Sequence, residues 1–73
     1  MKFDEFVSAA LSNDIVCIMD DVYDPKGKVI EEPRAAFRWI GSSYADREIE
    51  RFTLISRRNK RVNEKIIAVS LGG

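Results

Sequence analysis

Two clusters of like charge are the residues best placed to do chemistry. Arg57, Arg58, Lys60 and Arg61 put four cations within five positions. So dense a run repels itself, resists burial and invites an anion such as a phosphate backbone. Asp20, Asp21 and Asp24, with Glu31 and Glu32 following, are the acidic counterpart. An Asp-Asp-x-x-Asp spacing can hold magnesium against a diphosphate when a long helix presents both ends, and a calcium loop needs a glycine and a twelfth-position glutamate at fixed places. Neither setting surrounds these residues, which lie at the end of a β-leaning run. The acidic residues are therefore read as a patch that meets a basic protein surface, and the cations as a patch that faces nucleic acid.

No other constellation suggests catalysis. The chain has no histidine, so a general base near neutral pH would have to be a carboxylate or lysine perturbed in a cleft. Glycine-rich phosphate loops are absent. The sole cysteine, Cys17, sits between Val16 and Ile18 with nothing to activate it, and is expected to be a buried, reduced thiol. We expect no enzymatic activity, no cofactor and no metal.

The elements that must position these charges fit within 73 residues. A chain so short buries about 60 to 65% of its unfolded surface, enough for one domain, residues 1–73, with one modest core. The acidic start Met1-Lys-Phe-Asp-Glu lacks the apolar stretch of a signal peptide, and no run of apolar residues is long enough to span a membrane. A cytoplasmic location is expected. The net charge of zero hides a division: residues 1–33 carry three basic and eight acidic side chains, residues 34–73 nine and four, so the halves stand at −5 and +5. Such asymmetry either steers a partner or is cancelled on folding by ordinary surface pairs.

Phe3, Phe6, Val7, Ala10 and Leu11 form a helical stripe, with Asp4 and Glu5 in the first turn and Asn13 able to stop the helix in a left-handed conformation. The helix is expected from Phe3 to Leu11. Ile15 to Tyr23 reads as a strand whose unbroken apolar start suggests cover on both faces. Asp24-Pro-Lys-Gly27 selects a type I turn, with Gly27 free to take positive φ. A strand from Lys28 to Glu31 then pairs back and ends at Glu31, Glu32 and Pro33. Arg34 to Ile40 alternates, placing Ala35, Phe37 and Trp39 on one face. Phe37 and Trp39 are assigned to the core, the alternative being a stacking platform for single-stranded nucleic acid beside Arg34 and Arg38. Gly41 to Asp46 is a loop in which Ser43 and Asp46 resemble a capping pair. Asp46 to Arg51 is either a helical turn or the lead-in to a strand.

Phe52–Ser56 and Val62–Leu71 flank the cationic run and make a hairpin with a basic tip. With Asn59 and Lys60 central, Arg57 faces Val62, Ile55 faces Glu64 and Phe52 faces Ile67. Phe52, Leu54, Ile67 and Val69 then share the core face. The fold expected is α+β: a short N-terminal helix packed on a four- to five-stranded antiparallel β-meander, with Phe6, Leu11, Val16, Ile18, Phe37, Trp39, Phe52, Leu54, Ile67 and Val69 buried. The acidic hairpin is expected to tolerate charge reversal at Asp20, Asp21 and Asp24 with folding nearly intact.

In its length, in the opening Met1-Lys-Phe-Asp-Glu-Phe6 and in the compact meander ending at Leu71-Gly-Gly73, the chain resembles the very small phage-encoded regulators that bind host RNA polymerase. The resemblance implies a non-enzymatic transcription regulator in the cytoplasm of the host bacterium. It would inhibit promoter initiation, promote antitermination, and act as a monomer on the polymerase with nascent RNA or DNA nearby. It carries over no contact residue. The alternatives are a small single-stranded nucleic-acid-binding domain using the 57–61 tip with Arg34, Arg38 and Arg47, against which stands a pI of about 6.2, and a phage structural or toxin-neutralising protein docking through its acidic hairpin.

Overall fold

A computed structural model describes residues 1–11, 13–59 and 61–72, with Arg57 and Asn59 described by their backbone alone. The order is α1 (Phe3–Ala9), β1 (Ile15–Met19), β2 (Val29–Ala35), a 3-10 turn (Ala36–Trp39), β3 (Glu48–Asn59) and β4 (Val62–Gly72). The strands form one sheet in the order β2-β1-β4-β3. The class is α+β, as expected. The meander is not: β1 and β4 run parallel, Ile15 beside Ile66 through Met19 beside Ser70, while β1–β2 and β3–β4 are antiparallel. The cause lies in side-chain character. The two strands with continuous apolar runs, Ile15–Met19 and Ile66–Val69, take the interior of the sheet, and the charged β2 and β3 are left at the edges.

Both faces of β1 are covered, as its sequence suggests. Val16 and Ile18 join Phe3, Val7, Ala36, Trp39 and Val69 beneath α1, whereas Cys17 joins Ile66 and Ala68 on the opposite face. The Cys17 thiol is buried. Trp39 is the largest buried side chain: its indole N–H donates to the Val16 carbonyl at 2.9 Å, where the β1–β2 ladder is irregular, and Phe3 packs edge-on at 5.5 Å.

Several expectations are corrected. The helix ends at Ala9, because Ala10 turns extended and the Asp14 carboxylate takes the Leu11 amide. Leu11 is consequently exposed, and Asn13 has no positive φ. The first strand stops at Met19, where Asp20 starts a loop. Pro33 does not end β2, which continues to Ala35; an edge strand tolerates a residue without an N–H. Arg34 to Ile40 is no single strand: a 3-10 turn brings Ala36 and Trp39 to one side at its three-residue period and turns Phe37 out to 55% exposure. Ser43 and Asp46 cap nothing, since turns lead directly from this loop into β3, which settles 48–51 as strand.

The 3–4 hairpin closes one residue later than expected. Asn59 pairs with Val62, so Arg57 faces Glu64, Ile55 faces Ile66 and Phe52 faces Val69. A register shift of two leaves each residue on its face. Phe52, Leu54, Ile67 and Val69 therefore do share one, but only Val69 is fully buried. Among the described residues no helix is long and apolar enough to cross a membrane.

Replacing Trp39 by alanine removes the indole hydrogen bond and the centre of the larger cluster. We expect a loss of about 3 to 5 kcal/mol, comparable with the whole stability of a small domain. Urea unfolding followed by circular dichroism measures it, and an unchanged midpoint would contradict the central place given to this ring.

Candidate interaction surfaces

The five acidic residues do not form one patch. Asp20, Asp21 and Asp24 lie in the loop joining β1 to β2, and their carboxylates are occupied in building it. Asp20 Oδ1 accepts from the Asp21 and Lys28 amides at 2.7 Å each, Asp21 Oδ1 from Tyr23 at 2.9 Å, and Asp24 Oδ1 from Lys26 at 2.8 Å. The expected turn is present, with the Gly27 amide bonded to the Asp24 carbonyl at 2.8 Å. Gly27 is needed there for space and not for positive φ: a Cβ would collide with the Asp21 carbonyl oxygen and come within 2.9 Å of that of Asp24. The loop is fastened to the sheet where Val22 donates to the Ser70 hydroxyl and Arg51 approaches Asp21 at 3.7 Å while covering the Tyr23 ring.

Glu31 belongs to a different group. It accepts from the Tyr44 hydroxyl at 2.8 Å and pairs with Arg34 at 3.0 Å, and the Arg34 guanidinium lies 4.5 Å from the Trp39 ring centre. The Tyr44 hydroxyl is held above its ordinary pKa, chiefly because it donates to the Glu31 carboxylate, with desolvation and that carboxylate's charge adding. Of the five acids, Glu32 is exposed and carries none of these bonds. Charge reversal at Asp20, expected to leave folding nearly intact, would thus remove the acceptor of the Asp21 and Lys28 amides.

The basic cluster lies at the opposite end of the sheet. Because β1 and β4 are parallel, the loop that follows Met19 sits beside the end of β4, whereas the hairpin reverses before Val62. From Val62 to Ser70 is about 26 Å at 3.3 Å per strand residue. Arg58 and Arg61 are exposed there; Lys60 and the Arg57 side chain lie outside the described residues. Arg61 has φ of 73°, the left-handed region that favours glycine. The acidic loop and the cationic reversal therefore lie at opposite ends of the sheet, while elsewhere the two halves of the sequence pair, Arg34 with Glu31 and Arg51 with Asp21.

A third surface was invisible to composition. The 7 residues of α1 span about 10 Å and the 12 of β3 about 35 Å, so the helix can cover only part of the face on which it lies. Beyond it remains a groove of about 320 Å³, walled by Phe6 and Ala9 of the helix with Ala10 just past its end, and floored by Phe52, Leu54 and Ile67. Phe52 and Leu54, expected in the core, are 57% and 66% exposed, although the Phe52 ring still touches Phe6 at 5.6 Å. Asp14 is the charged residue on this lining. The sequence signal was a mismatch of lengths: one short helical stripe against a hairpin of more than twenty residues.

Phe37 is also exposed, with the Arg38 guanidinium 5.9 Å from its ring centre, whereas Trp39, its supposed platform partner, is buried. Among the described residues no three of His, Cys, Asp and Glu gather closely enough to hold a metal ion. Compared with protein-family models, with curated proteins and with solved structures, the chain finds no match in any of the three.

The two kinds of acid should separate experimentally. Asp20→Ala breaks two backbone hydrogen bonds and should cost about 1 to 3 kcal/mol, whereas Glu32→Ala should stay within about 0.5 kcal/mol of the parent. Paired thermal melts check this, and equal melting temperatures would show that the Asp20 bonds contribute nothing.

Proposed function

We propose that this chain is a non-enzymatic transcription regulator that docks on the RNA polymerase of a bacterial host, inhibits promoter initiation and promotes antitermination. The resemblance of its size and N-terminal stretch to the small phage regulators of polymerase supports the reading. The single observation that carries it is the arrangement on the 3–4 hairpin. Along one face, Phe52–Val69 and Leu54–Ile67 are followed by Ser56–Lys65 and Arg58–Asn63, so an open apolar groove runs on into exposed cations.

A protein gripped at Leu54 would have Arg58 about 13 Å further along the strand. That reach suits a partner which itself holds nucleic acid. Arg61 supports the same reading: a left-handed arginine costs about 1 kcal/mol or more relative to glycine, and strain of this kind is kept where the side chain has a task. Four cations bind free nucleic acid only weakly at physiological salt, so contact with phosphate belongs to the assembled complex. The exposed Phe37 beside Arg38 favours a second reading, a module that stacks single-stranded bases unaided.

Transcription with purified bacterial polymerase tests both. Serine at Arg57, Arg58, Lys60 and Arg61 should abolish regulation while polymerase binding, held mainly by the groove and the strand edge, is only slowed, since rim charges act chiefly on the on-rate. It should also flatten the salt dependence by up to about 0.9 log unit per lost duplex contact. Arg61→Gly alone should gain about 1 kcal/mol of stability while weakening regulation. Full activity in the serine variant would refute the role of the tip. Tight binding of single-stranded RNA without polymerase, lost in Phe37→Ala, would favour the second reading.

A further inference from the structure

We infer that the outer edge of β3, from Arg51 to Asn59, is a docking rail. It receives an extended acidic and apolar segment of a partner protein, which adds as a fifth strand antiparallel to β3. The inference rests on the reading of this chain as a docking protein and names how the docking is done.

Three observations converge on it. First, β3 is an edge strand, and among the described residues its stretch from Arg51 to Asn59 pairs only with β4; such an edge presents N–H and C=O groups that template the addition of another strand. Second, the edge already accepts such an addition where the chain supplies one. Residues 1–3 run antiparallel along its start, with a Lys2–Glu48 bridge, the Ile49 amide bonded to the Met1 carbonyl at 2.9 Å and the Phe3 amide to the Arg47 carbonyl at 2.8 Å. The line that this pairing defines continues beside Arg51 to Asn59. Third, the face next to this line is the apolar groove, so alternate side chains of an added strand would fall beside Phe52 and Leu54.

Charge chooses the occupant. Between positions 51 and 59 the strand carries Arg51, Arg57 and Arg58 and no acidic residue. A second copy paired edge to edge would bring six arginines together across the axis, which disfavours self-association. An incoming segment with carboxylates would meet the same arginines favourably, and its apolar side chains would cover Phe52 and Leu54. Main-chain hydrogen bonds then supply affinity, while the groove and the arginines supply specificity.

The test uses the whole chain and one probe, the acetylated, amidated octapeptide Asp-Glu-Val-Glu-Leu-Glu-Val-Glu. Titration followed by NMR should show interstrand contacts between the peptide and β3. Hydrogen exchange should slow at every second amide of residues 51–59, because only alternate amides of an edge strand point outward. A peptide with lysine for each acid, a peptide N-methylated at alternate amides on its pairing side, and the protein variant Leu54→Lys should each bind at least about tenfold more weakly. Leu54 is exposed, so that variant should fold.

No perturbation at about 1 mM peptide would overturn the inference, as a Kd beyond that is too weak for a specific site. So would equal binding of the N-methylated or lysine peptide, or protection of the 51–59 amides by self-association without peptide. Polymerase binding is measured in parallel. Peptide pairing without polymerase binding would leave the rail standing and refute the proposed function; polymerase binding without peptide pairing would do the reverse.

Discussion

The constraint on which the rest depends is the placement of β1 at the centre of the sheet. Its five residues are apolar on both faces, and they contribute Val16 and Ile18 to one cluster and Cys17 to the other. A strand of that kind must have neighbours on both edges and cover on both sides. β2 supplies one edge and β4 the other, α1 and Trp39 cover one face, and the loop after Met19 folds back toward the other through Val22. The indole bond to the Val16 carbonyl locks this arrangement where the strand ladder itself is irregular.

That choice decides where charge goes. Parallel pairing of β1 with β4 sends the acidic loop to one end of the sheet and the cationic reversal to the other. In a meander with every neighbour antiparallel, the same residues could have been brought side by side and would have neutralised one another. The molecule measures 35 Å along its longest axis, several Debye lengths at physiological salt. The two ends therefore act as separate fields.

The same choice leaves β3 on the outside. A hairpin needs only its inner strand to join the core, and a seven-residue helix cannot roof a twelve-residue edge strand. Phe52 and Leu54 remain in water although they are on the core face. Exposed apolar side chains next to an unpaired strand edge and a row of arginines are a costly combination in a protein with no use for it.

From sequence alone, the short amphipathic helix, the doubly apolar first strand, the Asp-Pro-Lys-Gly turn and the basic hairpin were legible, because each rests on local spacing and on side chains that declare their own environment. The α+β class followed, and so did the burial of Val16, Ile18, Trp39 and Val69, but not the strand read over 34–40, which is a 3-10 turn after β2. Strand order did not, since pairing between β1 and β4 joins segments some fifty positions apart and nothing in either run states its partner. The misassigned residues share that cause. Phe37 and Trp39 alternate in sequence, yet the three-residue period of a 3-10 turn turns Trp39 in, where its indole bonds the Val16 carbonyl, and Phe37 out. Phe52 and Leu54 lie on the face that periodicity gave them, but whether a face is covered depends on the reach of the opposing element. Periodicity tells a side chain which way to point; only the tertiary structure decides what, if anything, is there to meet it.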